Sequence, residues 1–130
     1  MERKIRVVLA KSEVDIHDRG VKYLANKLKE NGMEVIYILF SVPKQIVNVA
    51  IQEDADVIGL SSSIGGHMYV LSEVIKLLKA QEIDILTIVG GIIPNTDLPE
   101  LHKMGIDGIF GPGRPVDDSI DYIRKRICIE

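Results

Sequence analysis

Short apolar runs alternate along this chain with longer segments in which apolar residues recur every three or four positions. The runs predict strands that are buried on both faces, and the periodic segments predict helices with one buried side. The predicted strands cover residues 5–10, 34–39, 56–60, 85–89 and 108–110. The first predicted helix covers about 19–31, and the second begins at Pro43. The third is long and has Leu71, Val74, Ile75 and Leu78 on one side. A short fourth helix lies near 97–104, and the last buries Ile120, Ile123 and Ile127.

The alternation of five strands with five helices predicts an α/β fold, a doubly wound parallel sheet with helices on both faces. We expect the flavodoxin-like, broadly Rossmann-like, strand order 2-1-3-4-5. A chain of 130 residues is long enough to bury a core of its own, so residues 1–130 are expected to form a single domain. A ligand is expected at the carboxyl ends of the strands where the order reverses, between the loops after the first and third strands.

Composition narrows the classes of function. With 46% hydrophobic and 27% charged residues, the chain has the balance of an ordinary folded domain. No apolar run is as long as a membrane span, and the start leads into a strand rather than a signal peptide, so no membrane association is expected. The net charge of −3, with basic residues clustered only at 124–126, argues against nucleic-acid binding. The single Cys128, expected to pack in the last helix, suits a reducing compartment and predicts a cytoplasmic protein.

The loop between the first strand and the first helix, residues 11–20, carries a candidate metal ligand. A histidine that binds a metal through one ring nitrogen needs the N–H of the other nitrogen held by an acceptor, commonly a carboxylate. Asp15 could hold His17 in this way, and Lys11 could in turn orient Asp15. Two simpler interpretations stay open: Asp15 or Asp18 caps the following helix, or His17 is a solvent-facing loop residue.

The ends of the later strands are rich in small residues, at 61–66, 90–91 and 111–113. Small residues at several strand ends indicate a bulky ligand that passes close to the backbone. Three common ligands of this architecture do not fit. A flavin needs a hydroxyl- and glycine-rich phosphate loop after the first strand, a phosphoacceptor domain needs an aspartate after the third, and a dinucleotide site needs G-x-G-x-x-G.

A fourth ligand class does fit these loops. Asp15-x-His17-x-x-Gly20 after the first strand, Ser61 after the third and Gly90-Gly91 after the fourth resemble the cobalamin-binding domain of the methylmalonyl-CoA mutase family. The resemblance runs from Val7 to about Ile123 and is closest to the acyl-CoA mutase branch. That branch is also matched by Lys11, His17-Asp18-Arg19-Gly20, Gly66-His67, Pro94 and Phe110-Gly111-Pro112-Gly113. One departure is Ser63, where the family usually has a leucine.

The resemblance implies a role for each matching residue. His17 would be the lower axial ligand of the cobalt in cobalamin, in place of the base on the cofactor's nucleotide tail. Asp15 would accept the ring N–H of His17, and Lys11 would pair with Asp15. Ser61 would hydrogen-bond the displaced base. Gly90 and Gly91 would leave room for the tail, and Phe110, Gly111 and Gly113 would border its far end. The full cofactor-binding set implied is Lys11, Asp15, His17, Asp18, Arg19, Gly20, Ser61, Ser63, Gly90, Gly91, Phe110, Gly111 and Gly113.

The resemblance also implies a function. We expect the cobalamin-binding small subunit of an adenosylcobalamin-dependent acyl-CoA mutase, active only with a separate barrel-type large subunit that binds the acyl-CoA. The reaction would rearrange the carbon skeleton of a short branched acyl-CoA; the methylmalonyl, 2-hydroxyisobutyryl and isobutyryl thioesters stay open as substrates. No catalytic residue is expected here beyond cofactor ligation. The alternatives are a non-catalytic corrinoid carrier in methyl transfer, disfavoured because only residues 1–4 precede the first strand, and a delivery or sensory module.

Overall fold

The computed structural model describes residues 3–111 and 113–127 as a five-stranded parallel sheet with helices on both faces. The strands lie in the order β2-β1-β3-β4-β5, which confirms the predicted flavodoxin-like arrangement. The strands are β1 Arg6–Ser12, β2 Glu34–Phe40, β3 Val57–Ser62, β4 Leu86–Gly91 and β5 Gly108–Phe110. The helices are α1 Arg19–Glu30, α2 Pro43–Gln52, α3 His67–Ala80, α4 Leu98–Lys103, preceded by a 3₁₀ turn at Asn95–Asp97, and α5 Val116–Arg126.

The sheet separates two hydrophobic cores. Alternate residues of β1 point to opposite faces, so that Val7 and Leu9 join one core and Val8 and Ala10 join the other. The first core lies under α1 and α5, and the second lies under α2, α3 and α4. Burial on both faces explains why the strands read as continuous apolar runs rather than alternating ones.

Four strands, β1 to β4, end one or two residues later than their apolar runs predict. Lys11 and Ser12 belong to β1 rather than to the loop after it, and Gly90-Gly91 end β4 instead of following it. The reason is pairing with neighbours: Lys11 is in register with Leu39 on one side and with Ser61 on the other. A polar residue can therefore continue a strand when both flanking strands are present.

Two residues named in the sequence predictions, Pro112 and Cys128, lie outside the described residues. In the ranges that are described, every helix is too short or too polar to cross a lipid bilayer. The edge of the sheet that holds the carboxyl ends of β1, β3 and β4 is where the predicted site residues gather.

Candidate functional site

Four predicted site residues form one row across the sheet. Lys11 is in register with Ser61, Ser61 with Gly90, and Gly90 with Phe110. Residues in register on parallel strands point to the same face, here the face covered by α1 and α5. Four chain segments that are distant in sequence therefore contribute to one surface at the carboxyl edge of the sheet.

A cleft of about 500 Å³ opens beside this row, between the sheet and the helices α1 and α5. Its floor is apolar and is formed by Leu9, Gly59 and Ile88. All of the predicted cofactor residues except Lys11 and Asp15 line it, namely His17, Asp18, Arg19, Gly20, Ser61, Ser63, Gly90, Gly91, Phe110, Gly111 and Gly113. This position matches the crevice expected where the strand order reverses.

The carboxylate of Asp15 is the organising group of the loop after β1. Asp15 is 1% exposed, and its Oδ1 accepts the backbone N–H of His17 and the ring Nδ1 of the same residue, both at 2.9 Å. Its Oδ2 accepts the backbone N–H of Ser63 at 3.0 Å, which joins the loops after β1 and β3. Burial alone would raise the pKa of this carboxyl, but the donors from His17 and Ser63 outweigh it and hold the pKa below its usual value.

His17 is arranged as a ligand residue must be. A carboxylate can only accept, so Nδ1 carries a hydrogen, and Nε2 is the nitrogen whose lone pair can bind a metal. Within the described residues Nε2 has no hydrogen-bond partner, and the side chain is 59% exposed at the mouth of the cleft. The orientation of the ring is thus fixed from below, while the other nitrogen is free to bind a metal.

Lys11 contacts Asp15 through the main chain of Asp15. Its buried amine donates to the main-chain carbonyl of Asp15 and lies 3.4 Å from that of Ser12. The N–H of Asp15 bonds back to the carbonyl of Ser12 at 3.0 Å, and this tight turn places the Asp15 carbonyl over the amine. The carboxylate points to His17 and Ser63 instead. The structure thus brings Lys11 and Asp15 together through the main chain of Asp15, and its carboxylate is held by other donors.

The helix-capping alternatives are not supported by the geometry. Asp15 makes the contacts described above, and Asp18 occupies the N-cap position of α1 without a side-chain cap. The carboxylate of Asp18 instead pairs with Lys22 one turn along the helix, at 2.7 Å. That contact is the first cause of a pKa below the usual value for Asp18.

The two glycines that end β4 have different reasons to be glycine. A Cβ on Gly91 would lie 2.1 Å from the carbonyl oxygen of Ser62, and its φ of +112° is unfavourable for other residues. A Cβ on Gly90 would lie 3.1 Å from the carbonyl oxygen of Phe110. Gly91 is thus required by the close approach of β3 to β4, whereas a Cβ at Gly90 would make a tight contact with β5; both glycines also line the cleft.

Serines at the end of β3 contribute through different groups. Ser63 contributes its backbone N–H, a group that every residue except proline possesses, and its own side chain is not needed for that bond. The hydroxyl of Ser61 makes no hydrogen bond within the described part of the chain and lines the cleft. Ser62 points to the opposite face, where its hydroxyl bonds the carbonyl of Gly65 at 3.2 Å.

The far end of the cleft is bordered by an aromatic residue and a cation. Phe110 packs edge-on against Tyr122 with ring centres 5.7 Å apart, and the guanidinium of Arg114 lies 4.8 Å from the centre of the Phe110 ring. Arg114 also pairs with Asp118 at 3.2 Å. These contacts fix the end of the cleft that was predicted to border the tail.

The sequence predictions missed several residues that line the cleft, among them Gly59, Arg114 and Ser119. Gly59 had a usable signal, because a glycine inside a buried strand marks a close approach. A Cβ there would lie 2.8 Å from Cδ2 of Leu9. Ser119 lies in a helix among polar residues and has no such signal.

His67, one of the residues that match the acyl-CoA mutase branch, is buried at the start of α3. Its Nε2 lies 2.7 Å from Oδ2 of Asp97, which ties α3 to the turn after β4. Its Nδ1 is the single buried side-chain nitrogen or oxygen that lacks a hydrogen-bond partner within the described residues. His67 therefore braces the loops around the site from the face opposite the cleft.

Comparison with known proteins gives concordant findings. Residues 5–120 match the family described as the B12 binding domain. The chain is 41% identical over 126 residues to the 2-hydroxyisobutanoyl-CoA mutase small subunit of Aquincola tertiaricarbonis, covering 95% of this chain and 93% of that protein. It is 37% identical over 121 residues to methylmalonyl-CoA mutase of Escherichia coli, covering 91% of this chain but only 17% of that protein. A crystal structure of a cobalamin-binding protein from Desulfitobacterium hafniense superposes with a TM-score of 0.80 at 23% identity, covering 97% of this chain and 60% of that one, which shows the shared fold.

Proposed function

We propose that this chain, which belongs to the B12-binding domain family, is the cobalamin-binding subunit of an acyl-CoA mutase that uses adenosylcobalamin. The observation that carries the proposal is the exposed ring of His17, with one nitrogen held by the buried Asp15 and the other free at the mouth of a cleft. The sequence relatives described above are mutases, so the alternative of a corrinoid carrier in methyl transfer is not favoured.

The residues present fit a corrinoid on two counts. Nε2 of His17 offers one lone pair to a metal. A single protein ligand suits a metal whose other ligands are supplied by a macrocycle. The cleft of about 500 Å³ lies within the usual range for a small-molecule site and combines an apolar floor with hydroxyl groups. Such a lining suits a flat aromatic base joined to a sugar.

Within this proposal each group of the chain has a distinct task. His17 would hold the cobalt, and Asp15 fixes the tautomer and rotation of the imidazole and strengthens it as a metal ligand. Lys11 holds the main chain of Asp15 in place. When bound, adenosylcobalamin supplies a carbon–cobalt bond that breaks to start radical chemistry.

The cleft takes the nucleotide tail of the cofactor. Ser61 is assigned to the displaced base, because its hydroxyl lines the cleft without a partner within the described residues. Gly90 leaves space beside the tail, and Phe110 closes the far end. Asp18, Arg19, Gly20, Gly91, Gly111 and Gly113 complete the lining.

A large subunit is proposed to cover the upper side of the cofactor and bind the acyl-CoA. Large apolar side chains are exposed around the carboxyl edge of the sheet, with Ile16 the most exposed at 85%. Also exposed at this edge are Val14, Leu39, Val42, Ile64, Tyr69 and Ile92. Exposed apolar residues gathered at one edge indicate a surface that is covered in the working complex.

The extent, location and substrate of the protein follow as parts of the proposal. Residues 1–130 act as one cobalamin-binding domain, and the single cysteine supports a reducing, cytoplasmic setting. The substrate is a short branched acyl-CoA. The small subunit relative acts with 2-hydroxyisobutanoyl-CoA by its name, and the longer relatives with methylmalonyl-CoA, so both thioesters are substrates to test.

The test is reconstitution. The purified chain, adenosylcobalamin and a candidate large subunit are mixed, and isomerisation of each acyl-CoA is followed by chromatography. We expect turnover that requires both chains and is lost in His17→Ala. Methyl transfer with a corrinoid methyltransferase, together with no isomerisation with any large subunit, would contradict the proposal.

A further inference from the structure

One buried serine within the described residues has a hydroxyl that makes no hydrogen bond to the protein and keeps a path to the cleft. Six polar side chains are buried in this part of the chain: Lys11, Asp15, Ser62, His67, Thr87 and Ser119. The first three have the partners given above, His67 has Asp97, and the Thr87 hydroxyl donates to the carbonyl of Ile85 at 3.3 Å. Ser119 differs from all of them, because its hydroxyl bonds to no group of the described residues.

The position of Ser119 explains how this hydroxyl is tolerated. Ser119 is 5% exposed, lies in the first turns of α5 and lines the cleft. Its oxygen is not sealed from solvent, in contrast to Nδ1 of His67. A buried hydroxyl without a protein partner loses free energy unless water or a ligand satisfies it. The direction from which that partner can come is the cleft.

The chemistry of the proposed occupant selects the partner. In the cofactor's nucleotide tail, one nitrogen of the azole base is bonded to the ribose, so the base offers a single ring nitrogen as acceptor. Ser61, on the sheet, is already assigned to that nitrogen. The ribose hydroxyls and the phosphate are then the groups of the tail that still require hydrogen bonds. Of the two, the neutral ribose suits a cleft whose floor is apolar, whereas the anionic phosphate suits the solvent-exposed mouth.

We propose that the hydroxyl of Ser119 binds a ribose hydroxyl of the nucleotide tail. The two serines then bind different parts of the tail: Ser61 on β3 binds the base, and Ser119 on α5 binds the sugar. This inference rests on the proposed function, since it takes a corrinoid as the occupant of the cleft.

The test measures dissociation constants of three corrinoids for the wild-type chain, Ser119→Ala and the matched control Ser61→Ala. The probes are cobalamin, a cobamide whose tail carries a phenolic base without a ring nitrogen, and cobinamide, which lacks the nucleotide. We expect Ser119→Ala to weaken cobalamin and the phenolic cobamide by roughly 3- to 10-fold, as for loss of one neutral hydrogen bond. Cobinamide binding is expected to be unchanged. Ser61→Ala is expected to weaken cobalamin alone.

Each other pattern contradicts the inference in a distinct way. A Ser119→Ala chain that loses affinity for cobalamin but not for the phenolic cobamide would assign its hydroxyl to the base instead of the sugar. Equal effects on all three corrinoids, or none, would show that Ser119 does not read the nucleotide. Alanine suits a helix, and a urea unfolding curve confirms that the variant is folded. A wild-type chain that binds no corrinoid would instead overturn the proposed function itself.

Discussion

Replacement of Asp15 by asparagine tests the hydrogen-bond network under His17. The two side chains have nearly the same shape, but the amide has one acceptor where the carboxylate has two. The carboxylate receives three donors, two from His17 at Oδ1 and one from the N–H of Ser63 at Oδ2. If the amide oxygen of the asparagine turns towards His17, its NH₂ group faces the N–H of Ser63, which then has no acceptor. In the opposite rotamer the NH₂ group faces His17, and both donors of His17 are left unpaired.

The size of the effect follows from the burial of the site. Leaving one buried donor without a partner costs about 1–3 kcal/mol, and Asp15 is 1% exposed, so solvent does not compensate. We expect Asp15→Asn to lower the free energy of unfolding in urea by that amount at neutral pH, with an unchanged dependence on urea concentration. We also expect it to weaken cobalamin binding by roughly 10- to 100-fold, as for other groups that orient a metal-bound histidine.

The same variant makes a prediction about pH. The pKa of Asp15 in the folded protein lies below its usual value of 3.8. A carboxyl with a lowered pKa stabilises the folded state above its unfolded pKa, and this contribution is lost as the pH falls through the lower folded value. The stability difference between wild type and Asp15→Asn should therefore be constant from neutral pH down to about pH 5 and shrink below about pH 4. Equal stability of the two proteins at neutral pH would refute the network.

Two further predictions concern other parts of the site. Gly91→Ala should lower the free energy of unfolding in urea by roughly 2–6 kcal/mol. About 1–3 kcal/mol comes from strain of a non-glycine residue in the left-handed backbone conformation, and about 1–3 kcal/mol comes from the contact of the new Cβ with the carbonyl of Ser62. Gly20→Ala, where a Cβ meets nothing within 4 Å, is its control and should leave stability unchanged or slightly raised; equal losses in both would contradict the account. Asp18→Ala should leave the urea midpoint unchanged, because the ion pair of Asp18 with Lys22 is solvent-exposed, and a clear loss would give Asp18 a structural role.

The sequence predicts the sheet well because parallel strands that are buried on both faces have a distinctive apolar pattern. The order of the strands and the gathering of His17, Ser61 and Gly90 at one edge follow from the topology. The pattern could not show that the N–H of Ser63 holds Asp15, because this bond joins residues 48 positions apart through the main chain. It therefore also left unexplained how a serine can stand where the family usually has a leucine.

Two other features depend on tertiary contacts that leave no local signal. Lys11 donates to the carbonyl of Asp15 rather than to its carboxylate because the N–H of Asp15 bonds to the carbonyl of Ser12 and forms a tight turn. Ser119 reads as an ordinary polar residue of a helix, and only the packing of α5 on the sheet places it in the cleft. Predictions from pattern thus succeed for elements and fail for the partners of individual polar atoms.

The link between Asp15 and Ser63 also bears on how the site is assembled. It connects the loop that carries His17 to the loop that follows β3, and the carbonyl of Ser62 in turn accepts the N–H of Ile92 at 2.9 Å. The loops after β1, β3 and β4 are thereby joined in one series of hydrogen bonds. A ligand that contacts any one of these three loops therefore contacts a surface in which hydrogen bonds link all three.

The central claim is that His17 binds the cobalt of a corrinoid, and paramagnetic resonance of bound cob(II)alamin tests it most directly. An axial nitrogen splits the cobalt signal, and the splitting pattern depends on the nitrogen isotope. If His17 is the ligand, the pattern must change when the chain, but not the cofactor, is labelled with ¹⁵N, and this response to protein labelling must be lost in His17→Ala. A wild-type pattern that ignores the labelling of the protein, or a response to that labelling that persists in His17→Ala, would contradict the account.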